Sequence, residues 1–159
     1  MVLQVKFSWS AVLGWSASGL VLGASAAALL VGLGLAFPIS PVSLLLILPL
    51  IGIAAFIVTL PIRKYRKSSE QEGVERLSRP NPFQSFRLLV LSRAILLTGA
   101  GFLGWHVGVL IWVFSFSAAA DSVVNPTLFG VIGSFVMSLG GYLAQNNCKT
   151  PKDPEGEAS

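Results

Sequence analysis

The sequence is short of charge. Asp, Glu, Lys and Arg together make up 11% of its 159 residues, whereas about 25% of the residues of a typical soluble domain are charged. Hydrophobic residues make up 53%. Because so few charged side chains cannot cover a water-soluble surface, the composition excludes an ordinary soluble domain and indicates an integral membrane protein.

Cysteine and histidine are also scarce, and each occurs once, as Cys148 and His106. A single cysteine cannot form an intrachain disulfide, and these two residues alone cannot complete a zinc site. The chain's long apolar stretches contain no acidic residue, which argues against ion-coupled transport because that process usually needs an intramembrane carboxylate. The glycines show no phosphate-loop pattern. We therefore expect no catalytic residues, no metal site and no cofactor.

Four long apolar stretches remain, and each is near or above the ~20 residues that a helix needs to cross a bilayer. They cover residues 8–37, 42–62, 88–116 and 127–144. The first is longer than the apolar region of a secretory signal, which has about 7–15 residues, so we interpret it as an uncleaved span. The sequence predicts an all-α polytopic membrane protein, a single membrane domain over residues 1–159 in which four transmembrane helices pack as a small bundle.

The basic residues are crowded between the second and third stretches. Residues 63–87 hold seven of the eleven Lys and Arg residues, and such residues favour the cytoplasmic side of a membrane. Four spans place this basic loop, the N-terminus and the polar tail, residues 145–159, on one side. We therefore predict a protein of the cytoplasmic (cell) membrane with both termini in the cytoplasm. Topology explains the net charge of +4, so no nucleic-acid partner is needed.

Small residues recur every four positions in three of the predicted spans. Because lipid is as apolar as leucine, membrane helices associate where small residues let their backbones approach closely. The predicted packing positions are Gly19, Gly23 and Ala27 in the first span, Ala100, Gly104 and Gly108 in the third, and Gly130, Ser134 and Ser138 in the fourth.

Two kinds of polar residue are candidates for function. His106 lies inside the third span, where it is either a proton relay or a neutral imidazole bound to a neighbouring helix. Arg93 lies near the start of that span, where its side chain can extend to the headgroup region. Together with the nearby basic residues it could contact an anionic lipid or an acidic partner. These candidates are Arg63, Lys64, Arg66, Lys67, Arg87 and Arg93.

Three segments carry a family resemblance. They are "LPIRKY" at residues 60–65, "FRLLVLSRAILLTGAGFLGWHVG" at residues 86–108, and "CKTP" at residues 148–151. In this order they resemble a group of small bacterial four-span membrane proteins that is described only as a domain of unknown function. The resemblance implies a fold and a membrane location, and no activity.

The sequence leaves three functions open. One is a non-catalytic accessory or scaffold protein that binds a membrane partner through its small-residue stripes, or binds an anionic lipid of the bilayer. The second is a subunit of a small oligomeric transporter or channel, and the third is a membrane enzyme that uses His106. A polar cavity reaching His106 would favour the second or third, whereas a solid apolar bundle would favour the first.

Overall fold

The computed structural model describes residues 8–69, 82–116 and 121–148. Within these ranges the chain forms four α-helices and no strand: α1 (Trp9–Gly32), α2 (Val42–Ser69), α3 (Pro82–Phe116) and α4 (Asp121–Asn147). All four are long and apolar enough to cross a membrane. The predicted all-α fold with four packed helices is confirmed.

Several predicted features lie outside the described residues. These are the first seven residues, most of the basic loop at residues 70–81, the tail from residue 149, and the side chains of Arg66 and Lys67. The end of the bundle that carries Trp9 and Asn147 is called the inner end, and the opposite end the outer end. The names follow the orientation predicted from the charges.

The first helix ends earlier than its apolar stretch. Gly34 has a positive φ of 70°, a conformation that glycine adopts without steric cost. The N–H of Gly34 donates to the carbonyl of Val31, and the N–H of Leu35 donates to the carbonyl of Leu30, at 3.0 and 2.8 Å. These two bonds form a Schellman motif. Helix α1 therefore ends at Gly32, although the apolar stretch continues to residue 37.

The helices lie side by side in the order α1, α3, α4, α2, with a small contact between α2 and α3. Among the described helices, α1 packs against α3 alone, apart from a ring contact between Trp9 and Tyr142 of α4. The consecutive helices α1 and α2 are therefore not neighbours. The segment that joins them must cross from one side of the bundle to the other.

Glycines bring the helix backbones into contact. A Cβ added at Gly19 or Gly23 of α1 would overlap the backbone of α3, and a Cβ at Gly104 or Gly108 of α3 would overlap the backbone of α1. This is the close approach that membrane helices use in place of hydrophobic burial. Further contacts use glycines outside the three predicted stripes, namely Gly52, Gly99, Gly140 and Gly141.

The segment from residue 33 to residue 41 runs along the outer part of the bundle before α2 begins. Phe37 packs near Trp112 of α3, with ring centroids 5.9 Å apart, and Ser40 forms a hydrogen bond with His106. His106 lies ten residues before Phe116, the last residue of α3, a distance of about 15 Å along a helix. The joining segment therefore descends from the outer end of α3 to the level of His106, where α2 starts.

Candidate functional site

A buried hydrogen-bond network surrounds His106, whose side chain is 1% exposed. Its Nε2 atom lies 3.0 Å from Ser40 Oγ. Its Nδ1 atom lies 2.8 Å from the carbonyl oxygen of Phe102 and 3.2 Å from Ser134 Oγ. The ring fills the space beside Gly130, where any side chain would overlap it. Three parts of the chain, α3, α4 and the joining segment, therefore meet at this histidine.

The partners of the imidazole determine which nitrogen carries its proton. The carbonyl of Phe102 can only accept a hydrogen bond, so Nδ1 is the donor, and Nε2 of the neutral ring accepts from the hydroxyl of Ser40. The hydroxyl of Ser134 donates to the carbonyl of Gly130 at 2.7 Å. Both ring nitrogens and both hydroxyls thus have partners, as buried polar groups require.

A hydroxyl that donates to a histidine also resembles the pair of a serine hydrolase, in which a third group orients the base. Among the described residues, Asp121 is the one acid, and it is exposed at the outer end of α4. Here a backbone carbonyl holds Nδ1 instead of a carboxylate. The nearly complete burial of the ring also leaves a substrate little access. The arrangement suits a structural connection better than a reaction centre.

A second polar site lies at the inner end, in a small cleft that is open to the surface. We call it the inner cleft. It is lined by residues of α3, by the beginning of α1 and by the end of α4: Ser8, Ala11, Val12, Arg93, Leu96, Leu97 and Gln145. Ser8 caps α1, accepting a hydrogen bond from the N–H of Ala11 at 3.4 Å.

Gln145 is the unsatisfied group of the inner cleft. Its side chain is 2% exposed, and its Oε1 atom is buried without a hydrogen-bond partner among the described residues. Leaving a buried acceptor unpaired costs about 1–3 kcal/mol. A ligand that donates a hydrogen bond to Oε1 would remove this cost.

Arg93 is the charged group of the inner cleft, and it is partly exposed. Within the described ranges no carboxylate lies at this end of the bundle, since Asp121 is at the other. The inner cleft thus combines a cation without a described counter-ion and an unpaired acceptor.

A comparison with models of protein families identifies the family of this chain. Residues 11–152 match the family model described as "Protein of unknown function (DUF3180)". The chain belongs to this family. The match confirms the predicted resemblance to a family of unknown function, and the four apolar helices fit a four-span protein. Searches of curated proteins and of solved structures each found no match.

The predicted basic contacts of this DUF3180 chain are not brought together in the inner cleft. Arg63, Lys64 and Arg87 have exposed side chains near the inner end and do not line it. Arg93 lines the inner cleft together with Gln145 and Ser8 instead, and the sequence predicts a role for neither of these two residues. The sequence predicts that the polar tail begins at Gln145, but α4 continues to Asn147 and buries Gln145.

The only cysteine lies just beyond α4, beside a second polar link. Asn147 Nδ2 donates to Thr59 Oγ1 at 3.1 Å, which joins the inner parts of α4 and α2. Cys148 is 8% exposed, and burial raises the pKa of its thiol to about 11. Maleimides react with the thiolate, so Cys148 is a slow probe of orientation in the folded protein.

Proposed function

We propose that this chain is a non-catalytic accessory protein of the cytoplasmic membrane that binds the phosphate of an anionic phospholipid in the inner leaflet. The observation that carries the proposal is Arg93, a cation inside a membrane-spanning helix that lines a cleft and has no carboxylate near it in the described residues. The phosphate of a membrane lipid, which is present at high concentration, would supply a counter-charge.

The level of Arg93 in the bundle suits a headgroup. The rings of Trp9 and Tyr142 lie 6.3 Å apart at the same end, and such amphipathic rings prefer the membrane interface. Arg87 lies six residues before Arg93 on α3, about 9 Å along the helix. Arg93 is therefore within reach of the interface, where arginine's planar fork suits bidentate contacts with phosphate.

The alternatives have weaker support. A protein partner bound through the small-residue stripes would compete with contacts inside the chain, because Gly19, Gly23, Gly104 and Gly108 already face a neighbouring helix. A transporter subunit or an enzyme would need access to His106, which is 1% exposed. A lipid bound at the inner end requires neither the displacement of these helix contacts nor access to His106.

The orientation can be tested with two cysteines on one helix. Gln84 and Ser115 are exposed at the inner and outer ends of α3. In a Cys148→Ser background, we expect Ser115→Cys to react with an impermeant maleimide in sealed cells, and Gln84→Cys to react only after the cells are opened. The basic loop is the physical reason, since it stays in the cytoplasm. The reverse labelling pattern would overturn the proposed orientation.

The charge of Arg93 can be tested through the lipid that co-purifies with the protein. We expect Arg93→Gln to retain about fivefold less anionic phospholipid than the parent, because it loses the proposed hydrogen-bonded contact with the phosphate, which contributes about 1 kcal/mol. Arg93→Lys should retain an intermediate amount, because it keeps the charge and loses the bidentate geometry. Native mass spectrometry measures both.

The matched control is Arg87→Gln, which removes the same charge from an exposed position on the same helix outside the inner cleft. We expect it to change lipid retention less than Arg93→Gln does. Equal losses in the two variants would mean that the lipid responds to total charge. Unchanged retention in Arg93→Gln would remove the basis of the proposed function.

A further inference from the structure

We infer that the inner cleft recognises a phosphodiester headgroup that carries a hydroxyl, as phosphatidylglycerol does, with Arg93 on the phosphate and Gln145 accepting a hydrogen bond from the hydroxyl. The inference rests on the proposed function and adds the identity of the headgroup. Its independent observation is the unpaired Oε1 of Gln145, a side chain that lines the inner cleft with only 2% exposure.

The chemistry of the two side chains defines the ligand. Arg93 has only hydrogen-bond donors and a permanent positive charge, whereas Oε1 of Gln145 is an acceptor. A ligand that satisfies both must carry an anionic acceptor and a hydrogen-bond donor. A bare phosphodiester supplies only the first, because all of its oxygens accept.

A hydroxyl fits the second requirement better than an ammonium group does. An ammonium near Gln145 would also lie near the guanidinium of Arg93, since both residues line one small cleft, and like charges at short range repel. A headgroup with an ammonium is also less strongly attracted by the basic inner end. A hydroxyl donates without adding charge, so an anionic headgroup with hydroxyls matches the site.

The remaining walls of the inner cleft suit the part of a lipid next to its headgroup. Val12, Leu96 and Leu97 form an apolar surface between the polar residues. Trp9 directly follows Ser8, and Tyr142 lies three residues before Gln145, which puts it on the same side of α4. The contact between these two rings bridges α1 and α4 beside the cleft. A lipid of the inner leaflet can therefore place its headgroup at Arg93 and its glycerol backbone against the leucines.

The test compares two lipids that differ in the hydroxyl. The full-length protein is incubated with bilayer nanodiscs that contain phosphatidylglycerol, phosphatidylmethanol or phosphatidylcholine, and the lipid retained after detergent extraction is counted by native mass spectrometry. Phosphatidylmethanol has the same charge as phosphatidylglycerol but no headgroup hydroxyl. We expect retention to be about fivefold higher for phosphatidylglycerol than for phosphatidylmethanol, as one hydrogen bond would give, and lowest for phosphatidylcholine.

The variant Gln145→Met keeps the length of the side chain and removes the acceptor. We expect it to lower the retention of phosphatidylglycerol to the level of phosphatidylmethanol and to leave phosphatidylmethanol unchanged. Soluble glycerol phosphate at millimolar concentration should not displace the lipid, because it lacks the acyl chains that lie along the apolar wall. Its displacement of the lipid would overturn the assignment to a membrane lipid.

The outcomes separate this inference from the proposed function. If the parent retains phosphatidylglycerol and phosphatidylmethanol equally, and both above phosphatidylcholine, the role of Gln145 is wrong and the anionic-lipid site stands. If neither anionic lipid is retained more than phosphatidylcholine, both proposals are wrong. The comparison of lipids on the parent protein decides the matter even if Gln145→Met does not fold.

Discussion

Leucine at position 104 is expected to separate α1 from α3 and to lower the free energy of unfolding in detergent by about 3 kcal/mol or more, at the upper end of the usual cost of overpacking. A Cβ at Gly104 would overlap the carbonyl oxygen of Ser16 and would lie 2.8 Å from the backbone nitrogen of Leu20. Backbone atoms of a helix cannot move aside as a flexible side chain can. Among the described helices, α1 makes its backbone contacts with α3 alone, so little besides the contact between Trp9 and Tyr142 of α4 remains to hold it in place.

Gly14→Leu is the matched control for this substitution. Gly14 lies on α1, and an added Cβ there meets nothing within 4 Å. Since leucine has a higher helix propensity than glycine by up to about 1 kcal/mol, the control should be neutral or slightly stabilising. Thermal unfolding of both variants in one detergent gives the comparison. Equal melting temperatures for Gly104→Leu and the parent would contradict the observed contact between α1 and α3.

The four helices could be predicted from the sequence because each apolar stretch is long enough to cross a bilayer by itself. The ends of the helices could not be located from hydropathy. Gly34 ends α1 through its backbone conformation, while the residues after it remain apolar. Near the other end of the chain, Gln145 and Asn147 are polar, so the sequence predicts that they belong to the tail. Both are nevertheless buried in α4. Gly34 was a visible stop signal, whereas the burial of two amides depends on neighbouring helices.

The charges predict which way each helix runs, but not which helices are neighbours. The four-residue spacing predicts that Gly104 and Gly108 lie at a helix contact. Gly52, in contrast, is isolated in α2 and belongs to no such repeat. It nevertheless approaches the backbone of α4 near Met137. The candidate sites depend on similar long-range contacts. Ser40 and His106 are 66 residues apart in the sequence, so the sequence alone does not show that they form a hydrogen bond.

His106 connects the segment of residues 33–41 to the bundle, and alanine at position 106 is expected to release that segment. The substitution removes a buried ring and leaves the hydroxyl of Ser40 without its acceptor. The lost packing and the unpaired hydroxyl together should cost about 3 kcal/mol or more. We expect lower thermal stability in detergent and faster hydrogen exchange in peptides that cover residues 33–41, while the peptides of α1 keep their protection.

The hydrogen bond itself can be separated from the loss of packing by a double-mutant cycle. Ser40→Ala alone should cost about 1 kcal/mol, and Ser115→Ala, at an exposed position near the end of α3, should cost almost nothing. If Ser40 acts through His106, the double variant Ser40→Ala with His106→Ala should be no less stable than His106→Ala alone, because the hydroxyl that lost its acceptor is gone. The result is a coupling energy of about 1 kcal/mol between the two residues, within the range for residues in contact. Strictly additive losses would show that Ser40 and His106 stabilise the bundle independently, and the joining segment would then need another attachment.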